Sequence, residues 1–144
     1  MASTQPLMRV YFRALHDRLG LEFEPLDDNS LAVNISAYRG VITLDPEDPA
    51  YFRLTLALQP NATVSRRTME GICLRHTATA KLVKVTLDRD GDLLLAAETV
   101  VAGHQQLPEP GYLAQVMPRI FSLLLSAVDG VHESVELEKM LIDS

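Results

Sequence analysis

Apolar residues first recur at helical spacing. Met8, Tyr11, Phe12, Leu15 and Leu19 fall at i, i+3, i+4, i+7 and i+11, with Arg9, Arg13, His16 and Asp17 opposite. The pattern predicts a helix over about Gln5 to Leu19, with Ser3 or Thr4 as N-cap, Pro6 in the first turn and Gly20 as the stop. Period two follows. Leu21 to Leu26 reads as a short strand, and Asp27-Asp28-Asn29-Ser30 as a polar turn. Leu31, Val33 and Ile35 then alternate with Ala32, Asn34 and Ser36. Past Tyr38-Arg39-Gly40, read as a tight connection, Val41 to Leu44 forms a further strand, and the prolines of Asp45-Pro46-Glu47-Asp48-Pro49 force a loop. Phe52, Leu54, Leu56 and Leu58 alternate with Arg53, Thr55, Ala57 and Gln59, the cleanest strand in the chain.

The stretch from Ser65 to Val101 organises the rest. Met69, Ile72, Cys73, His76 and Ala80 share one helical face over about residues 64–80, with Thr63 or Ser65 as cap. Val83, Val85 and Leu87 then alternate with Lys84, Thr86 and Asp88. Asp88-Arg89-Asp90-Gly91-Asp92 makes a turn in which Gly91 takes a positive φ, and Leu93 to Val101 returns as the second strand of a hairpin over 81–101.

A loop holding Pro108 and Pro110 leads into a last helical pattern over about 110–142: Leu113, Val116, Met117, Ile120, Phe121, Leu124, Leu125 and Val128. Pro118 either kinks this helix or starts a fresh one, and Asp129-Gly130 is a further break before the acidic amphipathic stretch Val131 to Ile142. Leu123, Leu124 and Leu125 point in three directions, more than one packed face can bury, so a partner or second subunit is expected there.

The elements run α-β-β-β(-β)-α-β-β-α. Short connections favour antiparallel pairing, so the expected class is α+β: a sheet of about five strands flanked by helices on one face. All 144 residues are expected to form a single domain, 1-144. The 47% hydrophobic and 22% charged content excludes disordered and fibrous classes. A formal charge of −6, with only Arg66-Arg67 as a basic pair, argues against nucleic acid as a partner. The N-terminus lacks the pattern of a secretory signal, and unbroken apolar runs stop far short of the ~18 residues of a membrane span. Cys73 is the only cysteine and precludes an intrachain disulfide. The expected location is therefore cytoplasmic, with no membrane partner.

No residue pattern supports chemistry. Asp88, Asp90 and Asp92 match the first ligands of a calcium loop, but Leu93 and Thr99 stand where that loop needs Gly and Glu. His16, His76, His104 and His132 lack metal spacing, and His76 on an apolar face reads as a hydrogen-bonded core or interface residue. His132, Glu133 and Glu136 read as a solvated charged face, and Cys73 as a buried small hydrophobe. Phosphate loops, nucleophile elbows and Cys-x-x-Cys motifs are absent, so the expectation is a non-enzyme with no metal and no cofactor. The alternative is a small-molecule-binding or catalytic domain with a pocket between the first helix and the sheet, using Tyr11, His16 or His76.

From Thr77 to Leu95 a helix feeds the hairpin Lys84-Val85-Thr86-Leu87-Asp88-Arg89-Asp90-Gly91-Asp92-Leu93. This stretch, and the order of elements around it, resembles the bacterial YbjN-type sensory transduction regulators and the type III secretion chaperones. The resemblance implies a type III secretion chaperone-like fold and a homodimer that holds a protein or peptide client. The residues proposed for client binding or the dimer interface are Leu93, Leu95, Ile120, Leu123, Leu124 and Leu125. In the hairpin strand Leu93, Leu95 and Ala97 lie on one side, Leu94 and Ala96 on the other, and only one set can face the core.

Overall fold

A computed structural model describes residues 5–59 and 64–143. The first helix, α1 (Gln5–Phe12), continues as a π-helical segment, Arg13–Arg18, in which the Leu19 N–H reaches back five residues to the Ala14 carbonyl. Tyr11, Ala14 and Leu15, at i, i+3 and i+4, are buried together as the helical spacing predicts. Gly20 ends the segment at φ +63°, as its sequence position predicts. The Ser3 and Thr4 caps lie outside the described residues.

Six strands follow in chain order: β1 (Phe23–Asp27), β2 (Ser30–Ile35), β3 (Tyr38–Thr43), β4 (Tyr51–Leu58), β5 (Val83–Leu87) and β6 (Leu93–Val100). They form one antiparallel sheet in the order β1-β2-β3-β4-β6-β5. The α+β architecture is the expected one, with six strands in place of about five. Asp27 builds the β1–β2 turn by accepting from the Asn29 N–H and the Ser30 hydroxyl. The β2–β3 reversal falls at Ser36-Ala37, with Ser36 at φ +55°, and not at Tyr38-Arg39-Gly40. Gly40 instead sits inside β3 opposite Val33, because the space a side chain would take is filled by the tips of Ile35 and Leu54. A Cβ there would lie 2.9 Å from each.

The second helix, α2 (Arg66–Thr79), is capped by Ser65, whose hydroxyl accepts from the Thr68 N–H at 3.2 Å. Thr63 lies outside the described residues. The third helix, α3 (Pro110–Asp143), is continuous for 34 residues, about 51 Å at 1.5 Å per residue. Pro118 therefore starts no new helix; it faces solvent, where water can serve the freed carbonyl. Asp129-Gly130 does not break the helix either. Gly130 lies against the ring of His76, where a Cβ would come within 3.0 Å of Cε1.

All three helices cover one face of the sheet. Phe52, Leu54 and Leu56 of β4, Leu93, Leu95 and Ala97 of β6, and Val83 and Val85 of β5 point into this core. They meet Leu113, Met117, Ile120, Leu124, Val128, Val131 and Val135 of α3 and Met69, Ile72 and Cys73 of α2. By length and composition α3 could cross a membrane. In this fold its apolar stripe packs on the sheet.

Candidate functional site

Among the described residues the candidate tyrosine, histidines and cysteine stand apart from one another, and only the three aspartates of the β5–β6 turn come together. Tyr11 is fully buried, stacked at 6.3 Å on Phe52, and among the described residues its hydroxyl has no hydrogen-bond partner. Burial pushes its phenol far above the ordinary value. His16 is exposed at the end of the π segment, 2.9 Å from Asp17 Oδ1. His76 lies between α2 and α3, with Nε2 2.8 Å from Ser134 Oγ, and burial, helped by Arg75, lowers its pKa. Of Tyr11, His16 and His76, only His16 borders a cavity beside the first helical segment and the sheet.

A cavity of about 620 Å³ does open beside His16, lined by Gly20 to Glu24, Ala32, Asn34 and Arg39. Its charges answer one another: Arg39 donates to Glu24 at 2.9 Å and Asn34 to Glu22 at 3.3 Å. Asp88, Asp90 and Asp92 bring their carboxylates within 4.8 Å of one another, but Asp88 Oδ1 already accepts the Asp90 and Asp92 N–H groups, which shape the turn. Burial raises the Cys73 thiol, which disfavours the nucleophilic thiolate. His104 is exposed in the β6–α3 loop, and His132 stands 6.5 Å from the ring of Tyr38.

The expected client or dimer residues divide by burial. Leu93, Leu95, Ile120 and Leu124 lie in the chain's own core, and Leu123 and Leu125 are half-buried at its margin. Leu123 also lines a cavity of about 300 Å³ between α2 and α3, with His76, Lys81 and Ala127. Among the described residues the most exposed large apolar side chain is Leu74 of α2, at 73%, but exposed apolar residues gather in groups at the two ends of α3. At its start a groove of about 480 Å³ is lined by Val100, Val101, Ala102, Gln106, Leu107, Glu109 and Tyr112. Val100 (66%), Leu107 (47%) and Tyr112 (48%) are openly exposed there. At its far end Leu137, Met140, Leu141 and Ile142 are exposed as well. Sequence reading missed the groove because Val100 counts as a strand residue and Leu107 as a loop residue. Only the fold sets them beside Tyr112.

Each sheet edge is obstructed at one position against an added strand. At the middle of β5 the Thr77 hydroxyl donates to the Val85 carbonyl at 3.1 Å and accepts the Val85 N–H at 2.8 Å, occupying both groups. At the other edge β1 carries Pro25, which has no N–H, and its register shifts between Pro25 and Asp27.

The sheet order, the single helical layer and the long last helix occur together in known structures. YbjN from E. coli superposes with a TM-score of 0.63 at 14% identity, over 88% of this chain and 91% of that one. SchA, from the HopA1–SchA chaperone–effector complex, gives 0.63 at 14%, over 90% and 96%. The fold is that of YbjN and the type III secretion chaperones. The Yersinia pestis type III secretion chaperone SycH, solved with a fragment of YscM2, gives 0.51 at 18%, over 83% and 98%. At the level of sequence no family profile and no curated protein matches the chain.

Proposed function

We propose that this chain is a non-enzymatic, homodimeric, cytoplasmic module that holds a segment of a client protein. The observation that carries the reading is the apolar groove at the start of α3, where Val100, Leu107 and Tyr112 are left exposed beside the chain's own core. Such a groove accepts apolar side chains of a partner, whereas the one polar set that converges among the described residues, Asp88, Asp90 and Asp92, shapes a turn. The likeness to SchA, which was solved with its effector, supports the same direction. Because Thr77 and Pro25 obstruct the sheet edges, the client is held through side-chain burial more than through strand addition.

The test is capture of the tagged protein's partner from its own host, followed by limited proteolysis of the pair. A stoichiometric partner segment is expected to become protease-resistant, and Val100→Asp with Leu107→Asp is expected to abolish that protection without unfolding the chain. If every candidate partner is digested as fast with the protein as without it, the reading fails.

A further inference from the structure

The buried stripe of α3 ends at Val135, but the helix runs on from Glu136 to Asp143. Its apolar content continues on another line. Leu137, Met140 and Leu141 stand at i, i+3 and i+4 and are 58%, 67% and 63% exposed. This line continues the one through Gly130 and Ser134, which meets His76 lower on the helix.

Carboxylates surround the stripe. Glu133 lies one turn before Leu137 on the same face, and Glu136 and Glu138 lie on its two flanks. From Asp129 to Ile142 there are four acidic residues (Asp129, Glu133, Glu136, Glu138) against one base, Lys139, a balance of −3 and half of the chain's −6. Lys139 is held by Glu136 at 3.0 Å. Negative charge is thus concentrated beside exposed leucine and methionine.

We propose that this face docks a basic amphipathic helix of a partner protein. The partner's apolar residues pack on Leu137, Met140 and Leu141, and its Lys and Arg side chains meet Glu133, Glu136 and Glu138. The charge selects this occupant. The same face of a second copy would set carboxylate against carboxylate, and an anionic lipid surface would be repelled. The inference rests on the protein-binding reading above but concerns the opposite end of α3.

The probe is a labelled synthetic peptide of about 14 residues with Leu and Lys at amphipathic spacing, compared with a counterpart carrying Glu for Lys, each followed by fluorescence anisotropy. The Lys peptide is expected to bind at least about tenfold more tightly than the Glu peptide, and to weaken between about 50 and 500 mM salt. Leu137→Ser with Met140→Ser, and separately Glu133→Lys with Glu138→Lys, should each weaken it by about tenfold or more, with circular dichroism unchanged. Reversing Glu47 and Asp48, in the β3–β4 loop, should leave it within about twofold.

Equal binding of both peptides, or binding indifferent to the α3 variants, overturns the proposal. So does a drop in oligomeric mass on Leu137→Ser with Met140→Ser while peptide binding persists, which would assign the face to a second copy. Binding lost only with Val100→Asp and Leu107→Asp would leave the client-holding reading standing and remove this one.

Discussion

At the scale of single residues the core holds one group it does not need. The Tyr11 hydroxyl is sealed from solvent, with no hydrogen-bond partner among the described residues, and a buried unsatisfied hydroxyl costs about 1–3 kcal/mol. Tyr11→Phe keeps the ring on Phe52 and removes that cost, so it is expected to raise stability by about 1 kcal/mol in urea denaturation. A loss of stability would show that the hydroxyl has a partner. His76 gives a pH dependence. Burial, and secondarily Arg75, hold its folded pKa below the ordinary 6.5. As pH falls through about 6.5 the unfolded chain takes up a proton that the folded chain refuses, so this contribution is lost on acidification and is intact above that pH. Between about pH 7.5 and 5.5 the wild type should lose more stability than His76→Gln, measured by urea denaturation at each pH. Parallel curves would refute the assignment.

At the scale of elements, the sequence pattern located nearly every helix and strand, and the departures have specific tertiary causes. Gly40 reads as punctuation, yet it is a strand residue because Ile35 and Leu54 fill its side-chain space. Gly130 reads as a helix break, yet the ring of His76 occupies its place in an unbroken helix. The contacts of Gly40 with Leu54 and of Gly130 with His76 link positions far apart in the chain, so no local rule could expose them. The same is true of Thr77, which resembles any exposed helical threonine but obstructs the β5 edge. Thr77→Val keeps the shape and removes both bonds to Val85. It is expected to cost about 1 kcal/mol in thermal or urea unfolding and to increase concentration-dependent association through the opened edge, seen by light scattering. An unchanged midpoint with unchanged scattering would mean that the edge needs no cover.

At the scale of the whole molecule, a sheet covered on one face leaves the other face and both ends of α3 to solvent. The proposed homodimer predicts a sedimentation-equilibrium mass about twice 15.9 kDa. A mass of one chain at micromolar concentration would remove the dimer while leaving the proposed client-binding role of the groove intact. The candidate surface was legible only in part. The consecutive leucines 123–125 suggested excess apolar surface, but the fold buries Leu124 fully and Leu123 and Leu125 by half. A run of leucines shows that apolar area is present, not which of it a neighbouring strand will cover.

The sequence by itself determined the element order, the α+β class and the hairpin turn at Asp88 to Asp92. These follow from periodicity and turn chemistry, which act over a few residues. The tertiary structure alone decided that β6 lies between β4 and β5, that α3 is one helix, and that Val100, Leu107 and Tyr112 share a groove. Those outcomes depend on which faces meet across long stretches of chain, and a hydrophobic pattern states that a face must be buried without saying against what.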